Sequence, residues 1–126
     1  TRDYKEALKI LGEYFEKPVV KLGKLGCAGY DKDYFVVDNI DEFKCIDATG
    51  AGDAFLSGFI YGLYNDFDFK QCILAGNITG GKCVTGVGCL TEYIAEEQLA
   101  YYMDKYHNLI RWKPNQKILY KNNCLW

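Results

Sequence analysis

A glycine-punctuated turn followed by an acid is the part of this sequence that could do chemistry. Residues 47–55 read D-A-T-G-A-G-D-A-F. Gly50 and Gly52 permit backbone angles that residues with a Cβ resist, so successive N–H groups can converge on one point. A helix beginning near Ala51 would add its unpaired N–H groups and the positive end of its dipole, which suits a phosphate. The turn therefore predicts an anion hole made by Gly50, Ala51 and Gly52.

A carboxylate, Asp53, follows this predicted anion hole directly. A carboxylate beside a phosphate repels it unless the acid has a task. The natural task is to accept the proton of a hydroxyl group as that group attacks phosphorus. Asp53 is therefore the candidate catalytic base. The alternative is an ordinary first-turn acid that complements the helix dipole.

The nine-residue string closely resembles the C-terminal signature of the ribokinase-like (PfkB) carbohydrate kinases. Upstream, residues 20–26 (V-K-L-G-K-L-G) resemble the family's strand-and-turn segment that borders the nucleotide. Downstream, residues 75–88 resemble the following helix and the loop that closes the site, so the resemblance extends over residues 18–92. It implies a cytoplasmic, ATP-dependent kinase that phosphorylates an alcohol group of a small-molecule sugar, or alternatively of a nucleoside.

The resemblance also assigns residues to the nucleotide. It places Lys21, Gly23 and Gly26 along the nucleotide and Asn77 where a polar side chain contacts the adenine. The alternative for Asn77 is an exposed side chain on a closely packed helix. The small residues of this helix, which include Gly76 and Gly80, lower helix propensity, so something must come close to that face.

In many members of the family, a monovalent cation, usually potassium, organises the anion hole. Carried across, its ligands would be the side chains of Asp47 and Thr49 and main-chain carbonyls near Cys83, Gly86 and Gly88. Oxygen-only ligation suits a hard cation. The alternative is that Asp47 only caps the turn by accepting hydrogen bonds from main-chain N–H groups.

The length of 126 residues is enough for one small core but short for this family, whose members are typically more than twice as long. All matching segments belong to the family's C-terminal part. We therefore interpret residues 1–126 as a single nucleotide-binding subdomain, a C-terminal fragment that is inactive alone. The family's Mg²⁺-organising N-x-x-E motif would lie outside this chain, and residues 39–42 match that pattern in the wrong place, so they are read as a surface turn. The alternative is a non-catalytic nucleotide-binding or oligomerisation module.

The composition, with 49% hydrophobic and 25% charged residues and a formal net charge of -2, suggests no nucleic-acid partner. No apolar stretch approaches the ~20 residues of a membrane span. A basic tail over residues 107–126 is read as a solvated surface or an oligomer contact, such as that of a homodimer. Six scattered cysteines without a C-x-x-C pair predict small buried groups in a reducing cytoplasm, and His107 is predicted to be structural or exposed.

Hydrophobic periodicity predicts the elements that position the turn. The resemblance implies an α/β fold class, the C-terminal part of a ribokinase-like three-layer fold. One apolar stripe on the helix after Gly52, with Gly58 and Gly62, is expected to pack on the sheet. The predicted elements are helices over residues 3–16, 52–63, 69–84 and 95–106, short strands over 19–22 and 118–120, and an edge hairpin formed by 27–30 and 34–37.

Overall fold

The structure, a computed structural model, describes residues 3–88 and 94–112. Four helices and four short strands are joined by turns, two of which are single 3-10 turns at Gly23–Leu25 and His107–Leu109. In chain order the elements are α1 (Tyr4–Gly12), β1 (Val19–Lys21), β2 (Cys27–Asp31), β3 (Asp33–Val37), α2 (Ala51–Tyr64), α3 (Phe69–Cys83), α4 (Glu96–Tyr106) and β4 (Ile110–Trp112).

The strands form one antiparallel sheet in the order β1-β2-β3-β4. The β2–β3 hairpin is confirmed, but its predicted position at the sheet edge is wrong because β1 and β4 flank it on both sides. Strand β4 was not predicted, since three residues are too few to show a period. The strand predicted over residues 118–120 lies outside the described residues.

Each face of the sheet is covered by helix. Side chains alternate along a strand, so Val36 points to one face and its neighbours Phe35 and Val37 to the other. The first face packs against Tyr4 and Leu8 of α1. The second face packs against α3, and α2 and α4 in turn contact α3. A helix–sheet–helix arrangement in three layers results.

Helix α1 is shorter than predicted. Asp3 caps it by accepting a hydrogen bond from the main-chain N–H of Lys5 at 3.0 Å. We expected the helix to continue to Glu16 and stop at Pro18, but it ends at Gly12. Glycine is costly in a helix interior, which explains why the helix ends at Gly12. The apolar residues that follow with helical spacing belong to a turn.

Helix α2 packs on α3 rather than on the sheet. A Cβ at Gly58 would lie 2.3 Å from the Thr79 hydroxyl, and one at Gly62 would lie 2.9 Å from the Cys72 sulfur. The hydroxyl of Thr79 also donates a hydrogen bond to Ala54 O of α2 at 2.7 Å. The predicted packing of these glycines on the sheet is therefore wrong, because the close approach is between two helices.

The small residues of α3 are explained by aromatic rings. A Cβ at Gly76 would meet the ring of Phe55 at 2.7 Å, and one at Gly81 would meet the ring of Phe43 at 2.7 Å. We expected the nucleotide to be the close neighbour of this face. The structure instead places protein side chains there.

The predicted single apolar stripe on α2 is divided between two sides of the helix. Phe55 is buried against α3, whereas Leu56, Ile60 and Leu63 are each more than half exposed. Apolar residues on opposite sides are typical of a helix that is buried on both sides.

Among the described residues, no helix has the length and apolar character to cross a bilayer.

Candidate active site

The predicted anion hole is a real turn at the start of α2. Gly50 is the residue before the helix and has φ 80° and ψ 0°, a left-handed conformation that glycine adopts without steric cost. The N–H of Ala51 donates to Ala48 O at 3.2 Å. In the described part of the chain, the N–H groups of Gly50, Gly52 and Asp53 have no acceptor. Three donors are thus left for an anion, and Ala51 contributes less than expected.

Asp53 lies in the first turn of α2 with its side chain exposed. Its main-chain carbonyl accepts a hydrogen bond from the Ser57 hydroxyl at 3.0 Å. Within residues 3–88 and 94–112 its carboxylate has no hydrogen-bond or salt-bridge partner. The carboxylate can therefore be reached by an incoming hydroxyl group, beside the free N–H groups of the turn.

Lys21 brings a positive charge to the same turn from the end of β1. Its Nζ lies 5.6 Å from the centre of the Phe55 ring. A Cβ built at Gly52 would lie only 2.8 Å from that Nζ, so the absence of a side chain at Gly52 leaves room for the ammonium group. The structure thus brings two of the predicted segments, residues 20–26 and 47–55, together.

The two glycines after Lys21 shape the turn that follows β1. Gly23 and Gly26 both have positive φ angles, 59° and 98°. A Cβ at Gly26 would lie 2.1 Å from the main-chain oxygen of Val37, so this glycine lets the turn pack directly on the end of β3. Both glycines therefore have a clear structural role next to Lys21.

Asn77 does not present its side chain to a ligand. It is 2% exposed, and its Nδ2 donates to Val37 O at 3.1 Å and to Asp38 O at 3.3 Å. Its Oδ1 accepts from Cys27 Sγ at 3.0 Å, and burial raises the pKa of that thiol to about 12, so the thiol keeps its proton. Contact with adenine would require these bonds to open. Both the predicted adenine contact and the exposed alternative disagree with this position, because α3 is buried along this side.

Asp47 joins the two loops beside the turn. Its Oδ1 accepts hydrogen bonds from the N–H of Thr49 at 2.9 Å and from the Thr49 hydroxyl at 2.6 Å, and its Oδ2 accepts from the N–H of Gly88 at 2.9 Å. These bonds, led by the Thr49 hydroxyl, lower the pKa of Asp47 to about 2. This is the capping role weighed for Asp47.

The predicted cation ligands lie near one another, but they do not need a cation to hold them. Cys83 Sγ donates to Thr49 O at 3.6 Å, and Gly86 and Gly88 lie in the loop that Asp47 binds. The carboxyl, hydroxyl and carbonyl oxygens are a suitable donor set for potassium. Asp47 Oδ1 already accepts two hydrogen bonds and Oδ2 accepts one, so only Oδ2 keeps a lone pair for a cation and the fit is incomplete.

Replacing Asp47 with asparagine is expected to destabilise the protein at pH 7 and to flatten its acid sensitivity. Because the folded-state pKa is lowered from 3.8 to about 2, the stabilisation is fully present above pH 4 and is lost as the pH falls through about 2. Urea midpoints at pH 7, 4 and 2.5 measure this, with Asp41→Asn, an exposed aspartate of the preceding turn, as the control. Equal pH dependence in wild type and Asp47→Asn would contradict the role of these hydrogen bonds.

The remaining polar candidates have structural roles. The Glu42 carboxylate binds Lys105 at 2.8 Å and the Tyr106 hydroxyl, and both Asp41 and Glu42 lie in an exposed turn. The prediction of a surface turn over residues 39–42 is wrong for Ile40, which is buried in the core. No cluster of three metal-ligating side chains occurs among the described residues. Among the described cysteines, Cys27, Cys72 and Cys83 are buried as predicted, whereas Cys45 is exposed, and none of these four forms a disulfide bond. His107 is exposed, and most of the basic tail lies outside the described ranges.

Comparison with known proteins identifies the family. The model of the pfkB family of carbohydrate kinases matches residues 1–95. The chain belongs to this family. An uncharacterized sugar kinase of Archaeoglobus fulgidus is 37% identical over 89 residues, which is 70% of this chain and 36% of that protein. The nucleoside kinase of Methanocaldococcus jannaschii is 29% identical over 100 residues, covering 76% of this chain and 33% of that protein.

Solved structures of the kinase family confirm the fold. The crystal structure of the M. jannaschii nucleoside kinase matches with a TM-score of 0.64 and 26% identity, over 81% of this chain and 37% of that one. The ribokinase of Thermotoga maritima matches with a TM-score of 0.70 and 25% identity, over 79% of this chain and 34% of that one. The chain therefore has part of a ribokinase-like α/β fold and spans about a third of the length of these relatives.

Proposed function

We propose that this chain is the nucleotide-binding part of an ATP-dependent kinase that phosphorylates an alcohol group of a small molecule. The observation that carries the proposal is the turn before α2, where three free N–H groups adjoin the exposed carboxylate of Asp53. Membership of the pfkB family supports the same reaction class.

The N–H groups of Gly50, Gly52 and Asp53 would bind the terminal phosphate of ATP. Unpaired main-chain N–H groups at a helix start suit a bound phosphate, and donors held in place by the backbone would stabilise the negative charge that is redistributed during transfer. The start of α2 adds the positive end of its dipole. The turn would therefore stabilise both the bound phosphate and the transition state.

Asp53 would orient the acceptor hydroxyl and take its proton. Phosphoryl transfer passes through a loose transition state, so the carboxylate mainly orients the hydroxyl group and receives its proton late. Magnesium would accompany the nucleotide and neutralise part of its charge. Its protein ligands are expected outside this chain.

A phosphotransfer screen tests the proposal most broadly. The protein at its full natural length is assayed with ATP against fructose, ribose, tagatose phosphate and nucleosides, with and without potassium. We expect transfer to a sugar, with a nucleoside as the second choice. Potassium activation would support the predicted cation site at Asp47 and Thr49. Binding of ATP without transfer to any acceptor would favour a non-catalytic nucleotide-binding or oligomerisation module instead.

A further inference from the structure

We propose that Phe55 is a positioning residue, which holds the ammonium group of Lys21 at the anion turn, and that this ammonium group binds the terminal phosphate of the nucleotide. The inference rests on the proposed function and deepens it. The Phe55 ring, which would otherwise only fill the core, thereby takes part in recognising a nucleoside triphosphate.

The Phe55 ring is a fixed platform. It is 7% exposed, it lies against Gly76, and it stacks on Phe59 with the ring centres 6.4 Å apart. Lys21 Nζ lies 5.6 Å from the centre of this ring, within the range at which an ammonium group is attracted by an aromatic face. Any larger side chain at Gly76 would push the ring away from this place.

The ammonium group of Lys21 lies near the positive end of α2, where a cation without a bound anion is electrostatically disfavoured. Its Nζ adjoins Gly52, in the first turn of α2, where the helix dipole and the free N–H groups are both positive. Across the described ranges Lys21 has no acidic partner. The contact with Phe55 is therefore the interaction that keeps the ammonium group beside the turn. An anion bound at the turn would face the ammonium group and the N–H groups together.

A second lysine offers a matched comparison. Lys70 Nζ lies 5.3 Å from the centre of the Phe35 ring, which is also buried. Lys70 is in the first turn of α3, where the nearby Cys72 packs against Gly62, close to the end of α2 opposite to the turn. Removing Lys70 takes away the same charge and the same kind of contact. It should leave nucleotide binding unchanged.

The test uses calorimetric titration of ATP, ADP and AMP into the protein at its full natural length. We expect Lys21→Met to weaken ATP binding about tenfold or more and to change AMP binding by less than twofold, because AMP lacks the terminal phosphate. Lys21→Arg, which keeps a cation over the ring, should restore most of the ATP affinity. Lys70→Met should match the wild type.

Phe55→Leu separates positioning from packing. We expect it to weaken ATP binding about threefold in the wild-type background and to have no further effect in the Lys21→Met background, because Phe55 acts through Lys21. Additive effects of the two substitutions, or an equal loss for AMP, would overturn the proposal. If Phe55→Leu does not fold, Phe55→Met, which fills a similar volume without an aromatic face, makes the same comparison in both backgrounds. Failure of the wild type to bind ATP would refute the proposed function itself. An ATP affinity that is the same in Lys21→Met and in the wild type would refute only this inference.

Discussion

Replacing Asp53 with asparagine is expected to lower the turnover of phosphate transfer by about 10² to 10⁴, with ATP binding retained. The carboxylate is exposed in the first turn of α2, next to the three free N–H groups, and the described residues give it no partner. Asparagine keeps its size but cannot take a proton. Steady-state kinetics with the best acceptor from the screen, together with ATP titration, measure both quantities.

A matched control for this substitution is Asp41→Asn, which removes one exposed carboxylate from a turn of the same chain. It should retain wild-type turnover. If Asp53 only complements the helix dipole, Asp53→Asn will lower the melting temperature slightly and leave the turnover intact. A variant that keeps more than half of the wild-type turnover would rule out the catalytic role.

Gly26→Ala is expected to lower the free energy of unfolding by about 2 to 5 kcal/mol. Two costs combine here. The residue has φ 98°, which a residue with a Cβ adopts only under strain, and the added Cβ would lie 2.1 Å from the main-chain oxygen of Val37. A main-chain oxygen at the end of β3 cannot move aside as a flexible side chain does. Urea denaturation followed by circular dichroism measures the loss.

Gly88→Ala separates these two costs. Gly88 also has a positive φ of 79°, but a Cβ there would meet none of the described residues within 4 Å. It should therefore show only the backbone strain, about 1 kcal/mol. Equal losses at Gly26 and Gly88 would show that the close approach between the turn and β3 carries no energetic weight.

Sequence patterns predicted the helices best where local signals mark their ends. Helix α3 begins at Phe69 as expected, because Asp68 accepts from the N–H of Gln71 while the Gln71 side chain accepts from the N–H of Asp68. Helix α1 was predicted too long, since its apolar spacing continues beyond Gly12 as a turn. Strand β4 has no such local signal, because its three residues are extended only where they pair with β3, which is distant in the sequence.

In the candidate site, too, the features set by neighbouring residues could be predicted, and those set by residues far away in the sequence could not. The turn at residues 47–53 could be predicted because its geometry depends on neighbouring glycines. The burial of Asn77 could not, because it depends on the main-chain oxygens of Val37, which ends β3, and of Asp38, which lie 40 and 39 positions away in the sequence. The contact of Lys21 with Phe55 was likewise hidden, since periodicity assigned Phe55 only to an apolar face.

The binding of a terminal phosphate by the turn can be measured directly by amide NMR. The ¹⁵N-labelled protein is titrated with ATP and, separately, with AMP, and the backbone resonances are followed. If the turn binds the terminal phosphate, ATP will shift the amides of Gly50, Gly52 and Asp53 strongly and AMP will not. Saturating ATP that leaves these three amides unmoved while others shift would contradict it.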